Sequence, residues 1–305
     1  MARKLRVQYP GAIYHVMNRG DRREPIFKDD EDRERFLETL GEACRKTDWQ
    51  VHAYCLMHNH FHLVVETPQG NLVAGMKWFL GVYTSRFNRR HKLFGHLFSG
   101  RYKSLIVDGS GDGYLRTVCD YVHLNPVRAD LLPPEAPLEQ YRWSSYPEYL
   151  KRPGERLGWL RVERVLGELG IRSDDAAGRK RFGAAMEERR GKDQPGEWQA
   201  VRRGWFLGSG PVKEQLLELM AGAMGTHHGG EERHETDEQK AERLVVEELR
   251  KRRWTEQDLA GRLKTDPVKV KLAARVRAES VMTMDWIARR LQMGGRHTLA
   301  NCLKK

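Results

Sequence analysis

The sequence predicts an α+β fold: a core with an antiparallel sheet, followed by a mainly helical C-terminal region. Three observations predict it. Between Ala12 and Leu124, runs with period-two alternation and β-branched or aromatic residues take turns with runs of helical spacing. Two of the strand-like runs are separated by only three residues, Met57-His58-Asn59, as a hairpin requires. From Glu238 onward the pattern is helical throughout.

The elements follow in order. Ala12–Asn18 (AIYHVMN) alternates and reads as a strand. Asp29–Lys46 reads as a helix. Acidic residues crowd its first turns, where they complement the helix dipole, and Phe36, Leu37, Leu40 and Ala43 form an apolar stripe. Gln50–Leu56 and His60–Glu66 are the second and third strands, joined in a tight hairpin. Asn71–Arg90 is a second helix, with Val73, Met76, Phe79, Leu80, Tyr83 and Phe87 at helical spacing. Tyr102–Val107 is the fourth strand, and a helix over Asp112–Leu124 stops at Pro126. The order β-α-β-β-α-β plus one helix is the split βαβ, ferredoxin-like pattern.

Beyond this core, Leu132–Pro137 reads as a connector and Arg142–Tyr146 as an aromatic patch packed on the first domain. The polar, Gly- and His-rich Gly225–Asp237 reads as a linker. The expected domains are a catalytic-type domain over 7–150, a helical connector and linker over 151–237, and a helical segment over 238–305.

The chain has 305 residues, 54 Lys+Arg against 42 Asp+Glu, and a net charge of +12, which favours a polyanionic partner such as nucleic acid. No run reaches the roughly 18 apolar residues of a membrane span, and no apolar signal core follows the basic N-terminus. Cys44, Cys55, Cys119 and Cys302 show no CxxC spacing, which reads as free thiols of a cytoplasmic protein rather than a zinc ribbon or disulfide framework.

The sharpest chemical feature is His60-Phe61-His62 on the third strand. Side chains alternate along a strand, so the two imidazoles share one face, roughly 7 Å apart, and can converge on one divalent ion. Tyr121 and Asn125 stand four apart on the last core helix and share one of its faces. If that face covers the histidines, Asn125 adds an oxygen ligand and Tyr121 places its hydroxyl beside the same ion. The plainer alternative makes Tyr121 a core tyrosine and Asn125 a helix cap before proline. Tyr114 is a competing nucleophile seven residues earlier; Tyr121 is preferred for its Asn125 partner.

Arg86, Arg89, Arg90, Lys92, Arg101 and Lys103 fall in one stretch free of Asp and Glu, interleaved with Phe87, Phe94, Phe98 and Tyr102. Cations that track phosphates beside rings that stack on bases suit single-stranded or hairpin DNA. The alternative reading buries Phe87 and Phe94 and leaves the arginines as a solvated face. In the C-terminal segment, Arg250–Arg277 holds ten Lys/Arg against three acids. A capping pattern at Thr255 and Asp258 opens a helix there. Thr283–Gln292, a Met293-Gly294-Gly295 turn and Arg296–Leu303 follow in helix-turn-helix order, with Arg296 and His297 placed for duplex DNA.

Several separated runs resemble the Y1 (IS200-like) transposases, nearest to the branch of REP-associated tyrosine transposases. They are Tyr9–Gly20 (YPGAIYHVMNRG), Leu56–Val65 (LMHNHFHLVV), Phe98–Ser104 (FSGRYKS), Tyr121–Ala129 (YVHLNPVRA) and Arg142–Tyr146 (RWSSY). The resemblance covers about residues 7–150. It implies an HUH core in which His60, His62 and Asn125 hold Mg²⁺ or Mn²⁺ and Tyr121 attacks a DNA phosphate. A 5′-phosphotyrosine and a free 3′-hydroxyl would result, and another 3′-hydroxyl would reverse the step. His123 is a candidate proton acceptor. The C-terminal segment resembles extensions found in the same branch, and Arg203–Ser209 (RGWFLGS) recurs there without an assigned role.

The competing reading is a DNA-binding regulator on an HUH core that no longer cleaves. Intact His60, His62, Tyr121 and Asn125 favour the enzyme. A two-metal nuclease lacks paired carboxylates near the histidine strand, and an RNA-binding sheet leaves the paired histidines unexplained. Monomer and homodimer both remain open.

Overall fold

The computed structural model describes residues 7–133, 135–193, 198–225 and 237–304. Strand β1 (Ala12–Arg19), helix α1 (Asp30–Thr47), strands β2 (Gln50–Leu56) and β3 (His60–Thr67), helix α2 (Leu72–His91) and strand β4 (Lys103–Val107) follow in the expected order. Their ends have local causes. The Asp29 carboxylate accepts from the Asp32 N–H and starts α1, and Asp48 ends it in the left-handed region at φ 60°. The β2–β3 turn closes with the Met57 N–H on the His60 carbonyl at 2.9 Å.

β1 lies antiparallel between β3 and β4, and β2 pairs with the far side of β3. A fifth strand, β5 (Phe206–Leu207), adds to β4 in parallel, giving the order β2-β3-β1-β4-β5. The sheet is therefore mixed rather than wholly antiparallel. Two residues are too few to show alternation in the sequence.

The faces of the sheet divide as strand alternation requires. Phe61 points to one face, against Phe36 of α1 and Phe79 of α2. On the other face His62 meets Tyr121 of α3 (Tyr114–His123). The chain does not end this helical region at Pro126. After Leu124 it starts α4 (Asn125–Arg128), whose first turn tolerates the proline because no partner is needed for its missing N–H.

The Arg142–Tyr146 patch runs along the outer edge of β2. The Leu56 N–H donates to the Trp143 carbonyl at 2.8 Å, and the Ser145 N–H to the Tyr54 carbonyl at 2.9 Å. Helices α5 (Tyr146–Leu150), α6 (Glu163–Glu168), α7 (Ala176–Gly191), α8 (Gln199–Arg203) and α9 (Gly210–Gly225) follow. One buried apolar core runs from Ala12 to Leu216, so the stretch expected as a connector packs with the first domain. The linker expected over Gly225–Asp237 lies, apart from its ends, outside the described residues.

Helices α10 (Asp237–Arg252), α11 (Glu256–Gly261), α12 (Pro267–Glu279), α13 (Met284–Arg290) and α14 (Arg296–Cys302) enclose a second core from Ala241 to Leu299. Thr255 and Asp258 form the anticipated capping box. This body rests on α1. Lys46 Nζ donates to the carbonyls of Arg277 and Ser280 at the end of α12, and Lys240 Nζ meets Asp48 at 2.9 Å. No helix among the described residues is long and apolar enough to cross a membrane.

Candidate active site

A cavity of about 340 Å³ opens on the α3 face of the sheet. Register decides what reaches it. His60 lies opposite Arg19, His62 opposite Met17, and Lys103 also opposite Met17, so all five side chains share the face. His60, His62, Tyr121 and Asn125, chosen from sequence, line this one cavity, as does Lys103. Tyr121 is buried, with its ring centroid 5.7 Å from that of His62 in the same chain. Tyr114 packs on the apolar core and does not line the cavity.

The protonation of the histidines follows from their surroundings. Burial, with Arg19 adding to it, lowers the His60 pKa to about 4. Burial and the neighbouring His15, His60 and Arg128 hold His62 well below the usual imidazole value. Both rings are therefore neutral near pH 7, as metal ligation requires. Asn59 fixes one tautomer. Its Nδ2 donates to the Arg23 carbonyl at 2.9 Å, so its Oδ1 accepts from His60 Nδ1 at 2.8 Å and the His60 Nε2 lone pair stays free.

His15 is the corresponding partner of His62. The two rings lie near-parallel with His15 Nε2 2.9 Å from His62 Nδ1, so the contact orients the His62 ring through Nδ1 rather than Nε2. Burial lowers the His15 pKa to about 4. The Asn125 Nδ2 donates to the Tyr121 carbonyl at 3.0 Å, which leaves the amide oxygen for another partner. Two neutral imidazoles and one amide oxygen are donors that suit a divalent metal ion. Among the described residues no group of three or more His, Cys, Asp or Glu side chains is placed to hold a metal ion, so the donor set here is two imidazoles and an amide.

The polar and charged lining also includes His15, Arg19, Arg128 and Arg202, to which the sequence alone gives no role. Arg128 lies 4.3 Å over the Tyr121 ring, and its Nη2 donates to the Tyr121 carbonyl. The same guanidinium lies 4.9 Å from the Trp198 ring, which itself packs beside Tyr121.

The candidate proton acceptor His123 stands elsewhere. It is buried among Tyr146, Tyr149 and Phe182, with Nε2 2.8 Å from the Ser145 hydroxyl, and it does not line the cavity. Helical spacing turns its side chain a third of a turn or more away from Tyr121.

The basic stretch divides. Arg86 pairs with Glu42 at 2.7 Å, and Arg90 is held by Asp29, Glu31 and Asp32, so α1 already neutralises both. Arg89, Lys92, Arg101 and Lys103 are exposed and have no ion-pair partner among the described residues. Phe87 is 2 % exposed and belongs to the core, whereas Phe94 is 98 % exposed at the loop tip. Arg296 and His297 are exposed at the start of α14.

Residues 8–125 match the family described as Transposase IS200 like. Over this stretch the chain resembles the IS200-like transposases. Transposition of DNA is the activity that this family carries, and the match ends at Asn125, four residues beyond Tyr121. A solved structure described as the REP-associated tyrosine transposase bound to a REP hairpin is 14 % identical, over 50 % of this chain and 87 % of that one, with a TM-score of 0.41. No curated protein matches the chain.

Proposed function

We propose that this IS200-like protein is a metal-dependent transposase of single-stranded DNA, with Tyr121 as its nucleophile. The carrying observation is that Tyr121, His60, His62 and Asn125 line one cavity within one chain. The Tyr121 oxygen would attack the scissile phosphorus, the bond from phosphorus to O3′ would break, and a proton would pass to O3′. The products are a 5′-phosphotyrosine and a free 3′-hydroxyl. A second 3′-hydroxyl can reverse the step without external energy, because the ester is conserved.

His60, His62 and Asn125 would hold Mg²⁺ or Mn²⁺, which supplies charge stabilisation at the phosphoryl oxygens. His15 and Asn59 keep the two ligand rings oriented. Arg128 and Trp198 hold the Tyr121 ring in place. Outside the cavity, Arg89, Lys92 and Arg101 would follow the phosphates of a hairpin or single strand, with Phe94 free to stack on a base. Exposed Arg296 and His297 on α14 would contact duplex DNA.

The test is a covalent-adduct assay with labelled hairpin DNA from the gene's own flanks. Wild type in Mn²⁺ is expected to give an SDS-resistant protein–DNA band, absent with chelator and absent in Tyr121→Phe. A band that survives in Tyr121→Phe moves the nucleophile elsewhere. Tight binding with no band under any condition replaces the enzyme with the regulator on an inactive core.

A further inference from the structure

The family match stops at Asn125, but the cavity does not. Val201, Arg202 and Gly204, from α8 and its exit, line it together with the histidines and Tyr121. This later segment is fixed at both ends. Upstream, buried Trp198 packs on Tyr121 with ring centroids 5.6 Å apart. Downstream, β5 pairs with β4, the Ile106 N–H donates to the Trp205 carbonyl at 2.9 Å, and the Asp108 carboxylate accepts from the Ser209 hydroxyl at 2.8 Å.

Two glycines permit the fit. A Cβ on Gly204 would lie 2.4 Å from the Ala200 carbonyl oxygen, and one on Gly208 would lie 2.2 Å from the Asp108 Cβ. The RGWFLGS run is thus a strap that leads α8 along the sheet edge and against the site.

The charges in the cavity ask for an anion. Arg19, Lys103, Arg128 and Arg202 line it, and no carboxylate does. Asp193 faces Arg128 from behind at 3.6 Å. Among the described residues no carboxylate lies within ion-pair distance of Arg19, Lys103 or Arg202. Burial depresses the Arg128 guanidinium, and Arg202 depresses it further, so like charges repel across the space. Arg202 is exposed, and although its backbone N–H donates to the Trp198 carbonyl at 3.0 Å, its side chain makes no hydrogen bond among the described residues, so packing does not account for the guanidinium.

We propose that Arg202, carried by the 198–209 strap, grips a backbone phosphate of the DNA strand next to the scissile one. The strap is then part of the active site, and strand placement depends on residues outside the IS200-like stretch. The inference rests on the reading of the site as one that acts on single-stranded DNA.

Its test measures binding of a fluorescein-labelled, single-stranded hairpin oligonucleotide from the gene's flanks to the full chain at several salt concentrations. One lost phosphate contact on a single strand lowers the slope of log affinity against log salt by about 0.7. Arg202→Gln is expected to show that drop and about ten-fold weaker binding, the usual effect of losing one hydrogen bond to a charged group. In the adduct assay its KM should rise by the same factor, with kcat within about two-fold, because a contact made equally in both states changes KM. Arg202→Lys should restore the slope, and melting temperatures of both variants should match wild type. An unchanged slope with unchanged melting overturns the proposal. Failure of the wild type to bind the oligonucleotide overturns it together with the functional reading. Binding that loses the contact in Arg202→Gln while wild type forms no adduct supports Arg202 and removes only the strand-transfer chemistry.

Discussion

His15 is the residue whose neighbourhood explains most about the site. It faces His62 across β1 and β3, and their ring nitrogens stand 2.9 Å apart. A partner on the second ring nitrogen orients a ligand ring, and losing such a partner typically weakens metal affinity 10–100-fold. His15→Phe is therefore expected to weaken Mn²⁺ binding by about that factor, read by electron paramagnetic resonance of the free ion, and His15→Gln to recover most of it. Phe94 makes a second residue-scale prediction. Phe94→Ala should reduce affinity for the hairpin oligonucleotide by roughly ten-fold, within the 1–3 kcal/mol of a base–aromatic stack, with no change in melting temperature. His60, His62, Tyr121 and Asn125 could be read in the sequence because each pair depends only on local periodicity. His15 could not be read this way, since its partner is 47 residues away and the pairing register brings them together. Arg128 left a usable signal, seven residues and two helical turns after Tyr121. Interleaved aromatics gave none, because spacing does not separate buried Phe87 from exposed Phe94.

Among the elements, α7 shows how the stretch after residue 150 is secured. Asp174, just before its cap, joins Arg156 and Arg179, and these arginines, first through their hydrogen bonds, hold its carboxyl below the ordinary 3.8. The folded form therefore binds the proton less readily than the unfolded chain. The contribution is present at neutral pH and is lost as pH falls through 3.8 towards the lower folded value. Asp174→Asn should cost roughly 3 kcal/mol near pH 7, as removal of one partner from a mostly buried pair does, and the gap to wild type should close in acid. Thermal melting across pH 3 to 7 checks both. The core strands and long helices were legible because their periods repeat several times. Helices α6 and α8, of six and five residues, and the two-residue β5 repeat no period, so spacing alone does not mark them as elements.

On the scale of the molecule, two cores meet at one polar seat. Lys46 is 7 % exposed, and its Nζ donates to carbonyls that α12 leaves unpaired at its end. Lys46→Met leaves those acceptors bare and is expected to raise amide exchange of α12 about ten-fold, corresponding to roughly 1.4 kcal/mol, while α1 and α2 keep their protection. Hydrogen–deuterium exchange of the full chain reads this directly.

The same scale shows what the sheet offers to other copies of itself. An exposed outer strand presents a row of unmatched backbone groups that a second chain can extend, and this is a common start of dimers and of aggregation. Here the chain occupies both rims with its own later residues, Trp143 to Ser145 and Arg161 along β2, and Trp205 to Leu207 along β4. The strap that places Arg202 is thus also a selvedge. Deleting it should do more than weaken DNA binding: it should uncover β4 and give a protein that self-associates with concentration, where the intact chain sediments without sheet-to-sheet growth.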